Sequence, residues 1–245
     1  MQHKSCAFKK TSIHAVFCIA CGSETWLLAK NIYNRKSKFM EKQKIPTRVV
    51  PRLSRYYRIL REFDDKSWIS SRELSVETGF TDTQIRRDFT YFGHFGNRGK
   101  GYNVEELKKS LKKILGLDKS WNVMLVGAGN LGKALLGYKG FLEQGFKIVA
   151  AFDEDTSKIE KNIAGITVYS MSKLVDIVKE KQIKMAILTV PENVCQEVAE
   201  QVVASGVKAI FNFAPKQLKL PVDVKVRHID MTVEIERLSF MVSRQ

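Results

Sequence analysis

The sequence WNVMLVGAGNLG, residues 121–132, contains the strongest indication of the fold of the second half of the chain. Its apolar first half, residues 121–126, predicts a buried strand, and a G-x-G-x-x-G sequence follows at residues 127–132. A helical pattern comes next, and a second apolar strand, Lys147–Phe152, ends at Asp153. Strand, glycine turn, helix and then an acid about 20 residues further on are together typical of a Rossmann dinucleotide site.

Each residue of this pattern has a physical role. Gly127 permits the sharp turn, Gly129 lets a pyrophosphate approach the backbone, and Gly132 lets helix and strand pack closely. The free N–H groups of the helix start favour phosphates. Asp153 can accept both ribose hydroxyls, and the two acids that follow it would repel a 2′-phosphate, which predicts NADH or NAD+ rather than the phosphorylated forms. The alternative is a glycine-rich turn without a ligand.

Further alternating strands and helices extend this domain. Apolar runs at Lys184–Val190 and Lys208–Phe213 indicate parallel strands covered on both faces, and a late strand is predicted at Val224–Ile229. Ligands of such sheets bind at the carboxyl ends of the strands. The predicted cofactor-binding residues are Gly127, Ala128, Gly129, Asn130, Leu131, Gly132, Asp153, Thr189, Val190, Pro191 and Asn212.

The second half of the chain offers no convincing catalyst. His228 is the only histidine after residue 102, and a structural role is favoured for it because its sequence neighbourhood offers no partner. The domain is expected to bind its cofactor without turning it over and without a metal. An NAD-dependent dehydrogenase fused to a second module is the competing hypothesis.

The first half of the chain is strongly basic. Residues 1–102 contain 20 Lys and Arg against 9 Asp and Glu, whereas residues 103–245 contain 21 against 17. This asymmetry predicts a polyanionic partner for the first half.

A helix-turn-helix pattern lies within this basic half. A helix is predicted over Val50–Leu60, a second begins at Ser70 and stops at Gly79, and a third runs over Thr83–Phe92. The third helix turns Ile85 and Phe89 inward, which leaves polar and cationic side chains for the bases and phosphates of a major groove. The alternative is a plain three-helix bundle with a solvated basic face.

A glycine-rich segment, residues 93–102, follows the third helix. Its glycines and cations predict a tight hairpin, the wing of a winged helix, with Arg98 and Lys100 at the tip. The predicted DNA-binding residues are Arg52, Thr83, Gln84, Arg86, Arg87, Tyr91, Arg98 and Lys100.

Residues 1–43 fit neither domain. They are interpreted as a disordered extension or an early start codon; a short export leader and a zinc half-site built on Cys18 and Cys21 are the alternatives. No stretch is apolar for long enough to span a bilayer. Beyond this segment Cys195 is the only cysteine, which favours a reducing cytoplasm.

Several long motifs resemble the Rex family of redox-sensing repressors. They are QIRRDFTYFGHFGNRGKGY from Gln84, GAGNLGKALLGYKGF from Gly127, VAAFDED, LTVPENVCQEVA, VKAIFNFAPKQL, and HIDMTVEIERLSF from His228. The resemblance runs from about Lys44 to Arg244. Two features depart from it: residues 1–39 have no counterpart, and Cys195 stands where a small residue is usual.

The resemblance implies a homodimer that binds palindromic operator DNA and releases it when NADH binds, and thereby reports the NADH/NAD+ ratio. It implies that the helix Thr232–Val242 is swapped into the partner subunit. It also implies a switch in which Asp230 pairs with Arg58 in the DNA-bound form and with Tyr138, a further cofactor contact, when NADH is present.

The predicted architecture is an α/β chain with an N-terminal winged helix-turn-helix and a Rossmann-type NAD(H) domain. The predicted boundaries are 1–43 for the extension, 44–116 for the DNA-binding domain, 117–229 for the Rossmann domain and 230–245 for the dimerisation helix. A nucleotide-binding module that acts only through protein partners is a third hypothesis.

Overall fold

The computed structural model describes residues 45–63, 66–91, 96–97 and 99–244. The chain divides into two compact units, with the boundary between Gly116 and Leu117. The predicted extension and Arg98 lie outside the described residues.

Three helices form the body of the first unit. Helix α1, Val50–Leu60, buries Leu53, Tyr56 and Leu60, which recur at helical spacing and form one apolar face. Helix α2, Ser71–Thr78, and helix α3, Asp82–Thr90, follow after short connections. All three helices confirm the sequence prediction, with bounds that differ by one or two residues.

Local signals set the ends of α2 and α3. Ser70 and Glu73 form a capping box, in which the Glu73 N–H donates to the Ser70 hydroxyl and Glu73 accepts from the Ser70 N–H. Gly79 ends α2 at φ +73°, a conformation that favours glycine. The Thr81 hydroxyl accepts from the Gln84 N–H and caps α3.

A small antiparallel sheet and a fourth helix complete this unit. Strand β1 is Trp68–Ile69, β2 is Gly96–Asn97 and β3 is Gly101–Asn103, and their order in the sheet is β1-β3-β2. The β2–β3 pair is the predicted wing hairpin. Helix α4, Val104–Ile114, then packs Leu107 and Leu111 into the same core as α1.

The second unit is a twisted, mostly parallel sheet covered by helices. In its described part the strands are β4 Trp121–Val126, β5 Phe146–Asp153, β6 Asn162–Ile163, β7 Ile166–Ser170, β8 Met185–Leu188, β9 Ala209–Asn212 and β10 Lys225–His228. The helices are α5 Asn130–Leu136, α6 Lys139–Glu143, α7 Leu174–Glu180, α8 Glu192–Ala204 and α9 Met231–Val242.

The strand order is β10-β9-β8-β4-β5-β7-β6, and all pairs are parallel except β6 with β7. Without β6 this is the doubly wound order of dinucleotide-binding folds, with its reversal point between β4 and β8. The predicted Rossmann architecture is therefore confirmed. The long apolar runs of β4, β5 and β8 are buried because helices cover both faces of the sheet.

Three short elements were not predicted: β1, β6 and α6. Each has two to five residues, which is too short for an apolar period to be visible in the sequence.

Candidate functional site

The glycine turn between β4 and α5 is shaped by close backbone contacts. Gly127 has φ +98°, and a Cβ there would lie 2.8 Å from the carbonyl carbon and oxygen of Thr189. The Thr189 hydroxyl donates to the Gly127 carbonyl oxygen at 2.7 Å, which ties the end of β8 to the turn. A Cβ at Gly132 would overlap the same Gly127 oxygen, whereas one at Gly129 would meet open space. The turn is thus packed tightly on its protein side and open where a pyrophosphate would approach.

Asp153 stands at the carboxyl end of β5, beside this turn. Its Oδ2 accepts the Ala128 N–H at 2.7 Å, and its Oδ1 accepts the Asp155 N–H at 2.9 Å. The structure therefore brings together the glycine turn and the acid that the sequence spacing paired. A carboxylate fixed in this way can accept ribose hydroxyls through its remaining lone pairs.

The other predicted cofactor residues fall into two groups. Asn130 and Leu131 form the first turn of α5, and Thr189, Val190 and Pro191 leave the carboxyl end of β8 next to the glycine turn. These two groups lie on either side of the reversal point of the sheet.

Asn212 differs from these residues because it is fully buried. Its Nδ2 lies 3.0 Å from the carbonyl oxygens of Ala214 and Lys216 and 3.1 Å from His228 Nδ1, and its Oδ1 accepts from the Ala214 N–H. These hydrogen bonds order the loop after β9, and the contact of Asn212 with the cofactor stays a prediction. The structural partner of His228 is thus Asn212, which precedes it by 16 residues.

Cys195 belongs to the same buried cluster. Its thiol donates to Asn212 Oδ1 at 3.4 Å, and burial raises the pKa of the thiol. Since the thiolate is the reactive form, this cysteine is chemically quiet at neutral pH.

Two predicted switch residues belong to the second unit. Tyr138 precedes α6, is 60% exposed and packs edge-on against Phe141. Asp230 is exposed and caps α9, since its carboxylate accepts the Thr232 N–H at 2.9 Å. The third, Arg58, is exposed on α1 of the first unit.

Helix α3 presents its polar side chains to solvent. Thr83, Arg86 and Arg87 are exposed, while Gln84 and Tyr91 are partly exposed. Arg86 pairs with Asp82 at 2.7 Å and donates to the Ser71 hydroxyl at 3.2 Å, so its guanidinium is oriented before any ligand arrives.

The opposite face of α3 is fastened to α1 by a buried carboxylate. Asp88 is 2% exposed and accepts Arg52 Nε at 2.6 Å and Arg52 Nη2 at 2.7 Å. The Tyr56 hydroxyl donates to Asp88 at 2.9 Å. Burial and the hydrogen bond to Asp88 raise the pKa of Tyr56. The Arg52 guanidinium therefore joins α1 to α3, and its contact with DNA stays a prediction.

The described part of the wing lies against the helices. Tyr102 packs edge-on against Phe89 at 4.8 Å between ring centroids, and Lys100 holds its ammonium 5.8 Å from the centre of the Trp68 ring. Lys100 is exposed, as the prediction of a phosphate contact requires.

The described ranges contain neither a cluster of metal ligands nor a helix that could span a membrane. Nowhere among them do three or more metal-ligating side chains converge. No helix in the same ranges combines the length and the apolarity of a membrane span.

A helix-turn-helix with a wing and a dinucleotide fold in one chain define the class of ligand-responsive transcriptional regulators. Comparison with known proteins narrows this class. The redox-sensing transcriptional repressor Rex of Desulforamulus reducens is 44% identical over 203 residues, which are 82% of this chain and 97% of that protein. Its counterpart from Carboxydothermus hydrogenoformans is 46% identical, with 82% and 98% covered. The chain belongs to the Rex family of redox-sensing transcriptional repressors.

Solved structures and family models agree with this assignment. The crystal structure of RSP in complex with β-NAD+ and operator DNA matches with a TM-score of 0.79 at 39% identity, over 83% of this chain and 94% of that one. The structure of RSP with β-NADH matches with a TM-score of 0.74 at 38% identity, over 83% and 96%. A family model described as a putative DNA-binding protein N-terminus matches residues 44–90, and one described as a CoA binding domain matches residues 118–216.

Sequence reasoning missed two residues that the structure places at the sites. Nothing in the sequence distinguishes Asp88 from the other polar residues of α3 or indicates that the Lys158 ammonium lies 3.2 Å from Asp153. Neither had a local signal, since Arg52 precedes Asp88 by 36 positions and Lys158 sits in a loop without a motif.

Proposed function

We propose that this protein is a homodimeric, cytoplasmic repressor that binds palindromic operator DNA and releases it when NADH occupies the Rossmann unit. In this proposal residues 44–116 bind DNA, residues 117–229 bind the nucleotide and residues 230–245 form the dimerisation helix. The observation that carries it is the pairing of the open glycine turn with the Asp153 carboxylate, in a chain that also has an exposed arginine-bearing helix.

The nucleotide site supports NADH and NAD+ as the sensed ligands. The residues proposed to contact them are Gly127, Ala128, Gly129, Asn130, Leu131, Gly132, Tyr138, Asp153, Thr189, Val190, Pro191 and Asn212. The related protein RSP has been crystallised with β-NAD+ and with β-NADH. Asp153 argues against a CoA ligand, because the 3′-phosphate of CoA would meet its carboxylate.

The charge of the nicotinamide ring offers a basis for telling the two forms apart. The ring is cationic only when it is oxidised, and burial of an unpaired charge in apolar surroundings is costly. A ligand shifts a two-state equilibrium only by its differential affinity for the two states. An apolar nicotinamide pocket in the released state would therefore favour that state with NADH.

The DNA interface is proposed to consist of the outer face of α3 and the wing. Thr83, Gln84, Arg86 and Arg87 lie in the first two turns of α3, the part of a recognition helix that contacts base edges. Tyr91, Arg98 and Lys100 would contact the backbone. The related protein RSP has been crystallised in complex with operator DNA.

The C-terminal helix supports the dimer. None of residues 231–242 is buried, although several of them are large and apolar. Ile235 is 66%, Leu238 58% and Phe240 58% exposed. Apolar side chains that recur along a helix need a partner surface, and a swapped helix in a second copy would provide one. Because Asp230 caps this helix, its proposed exchange between Arg58 and Tyr138 would couple the dimer contact to the cofactor.

The test is a fluorescence anisotropy titration of a palindromic operator duplex with NADH, NAD+ and NADPH added separately. NADH is expected to weaken binding, and NADPH is expected to leave it unchanged. Arg87→Ala should weaken binding and relax the preference for the operator sequence, whereas Lys100→Ala should lower the slope of log affinity against log salt by about 1. Lys179→Ala, which removes an exposed cation from α7 of the other unit, is the matched control and should bind like wild type. Operator affinity that is identical with and without NADH would refute the proposal.

A further inference from the structure

The loop after β5 carries a cation at the position where adenosine ribose hydroxyls are expected. Lys158 Nζ lies 3.2 Å from Asp153 Oδ2 and 3.3 Å from Asp155 Oδ2. The Lys158 side chain is 27% exposed, and that of Asp153 is 11% exposed. The ammonium is thus held between two carboxylates at the edge of the proposed nucleotide site.

This arrangement changes the electrostatic argument drawn from the sequence. The row of acids at residues 153–155 predicts repulsion of a 2′-phosphate, but the structure adds a positive charge among them. Hydrogen bonding to Asp153 raises the pKa of the Lys158 ammonium, which remains charged at neutral pH. Its charge is offset by the two carboxylates rather than directed at a ligand.

We propose that Lys158 is a specificity-determining residue: Asp153 and Asp155 hold it away from the ligand, and without the Asp153 carboxylate it would bind the 2′-phosphate of NADPH. This inference rests on the proposed NAD(H) function. Dinucleotide folds that accept a 2′-phosphate use a cation close to the ribose, and this chain already has one there. Discrimination against NADPH then depends on one carboxylate rather than on the lack of a cation.

The loop is held by contacts that do not depend on Lys158. The Asp155 carboxylate accepts the Ser157 N–H at 2.9 Å, and the Lys158 N–H donates to the Asp155 carbonyl oxygen at 2.9 Å. Substitution of the Lys158 side chain should therefore leave the backbone in place. The glycine turn loses one acceptor, that of the Ala128 N–H, when Asp153 is replaced.

NADH binding involves a competition at Asp153. Within the described residues its Oδ1 accepts only the Asp155 N–H and keeps a lone pair for one ribose hydroxyl, whereas a hydroxyl that approaches Oδ2 competes with Lys158 for the lone pair that the ammonium occupies. Removal of the ammonium frees this lone pair. Lys158→Met is therefore expected to bind NADH at least as tightly as wild type.

The experiment compares wild type, Asp153→Ser, Lys158→Met and the double variant as full-length proteins. The affinities for NADH and NADPH are measured from nicotinamide fluorescence. Calorimetric titrations with adenosine 2′,5′-bisphosphate and with 5′-AMP, which lacks the 2′-phosphate, then give the contribution of that phosphate to the affinity. Asp153→Ser should bind NADPH at least about tenfold more tightly than wild type, the size of one charge-assisted hydrogen bond. The double variant should lose this gain. Asp153→Ser with Lys161→Met, an exposed lysine of the same loop, should keep it.

The outcomes separate the two proposals. NADH binding by wild type tests the proposed function, and the Asp153→Ser series tests Lys158. A gain in NADPH affinity that persists in the double variant would overturn the role of Lys158, as would a folded Asp153→Ser protein without any gain. A tenfold loss of NADH affinity in Lys158→Met would also overturn it, because Lys158 would then be a direct ligand of NADH. Far-UV circular dichroism identifies variants that do not fold, and for these Asp153→Asn replaces Asp153→Ser with the same expected outcomes.

Discussion

The ion pair between Arg52 and Asp88 is one of the contacts that join α1 to α3, and removal of either partner tests how much it stabilises the first unit. The two changes are not equivalent. Arg52→Met leaves a carboxylate that is 2% exposed and that keeps the Tyr56 hydroxyl as its side-chain donor. Asp88→Asn leaves a guanidinium on a side chain that is 21% exposed and can reach water.

The structure sets the expected magnitudes. Loss of one partner from a buried pair costs about 3–5 kcal/mol, because the other charge stays buried without compensation. Because Arg52 is partly exposed and the Tyr56 donor remains, Arg52→Met is expected to lower the free energy of unfolding by about 3 kcal/mol, the lower end of this range. Asp88→Asn keeps the shape of the side chain and leaves no buried charge without a partner, so a loss of about 1–2 kcal/mol of unfolding free energy is expected. The double change Arg52→Met with Asp88→Leu should cost less than the sum of the single changes.

Trp68 provides a probe that reports on the first unit alone. The chain contains three tryptophans, so Trp26→Phe and Trp121→Phe leave Trp68 in β1 as the single emitter. Urea unfolding followed by its emission gives the free energy of unfolding of each variant. Lys66→Met serves as the control, because its exposed pair with Glu73 should contribute less than about 1 kcal/mol.

Two results would refute this reasoning. If Arg52→Met lowers the free energy of unfolding no more than Lys66→Met does, the Arg52–Asp88 pair contributes no more than an exposed ion pair and does not hold α3 against α1. If Asp88→Asn costs more than Arg52→Met, the stranded carboxylate is not the dominant penalty.

Three further predictions concern packing, pH and assembly. Gly132→Ala places a methyl group against the Gly127 carbonyl oxygen, so it should destabilise the second unit by roughly 1–3 kcal/mol and weaken NADH binding. Thermal unfolding and an NADH titration measure the two effects, and an unchanged stability and affinity would contradict the close packing at Gly132. Hydrogen bonding to Lys66 and capping contacts lower the pKa of Glu73 from 4.5 to about 2, so its stabilisation is complete above pH 4.5 and is lost as the pH falls toward 2. Glu73→Gln should remove this part of the acid sensitivity, and an ordinary carboxyl pKa by NMR in wild type would contradict it. Phe240→Asp on α9 should shift sedimentation toward monomer, and an unchanged dimer would argue against a helix interface.

Several features of the first unit follow from neighbouring residues alone. The capping box at Ser70 and the left-handed Gly79 depend on contacts within four residues, and the sequence shows both partners of each contact. The same holds for the apolar face of α1, because burial on one side of a helix repeats every three or four positions. The two-residue strand β1 was not predicted, since it exists only through pairing with β3, which lies far from it along the chain.

The two folds, the glycine turn, the acid after β5 and the basic helix could be predicted from the sequence, because their physical causes are local or periodic. Which charges meet depends on the tertiary structure. It placed Arg52 on a buried carboxylate 36 residues away rather than toward solvent, enclosed Asn212 with Cys195 and His228, and set Lys158 on Asp153. The energy of a charge depends on what surrounds it in space, and the order of residues along the chain does not contain that information.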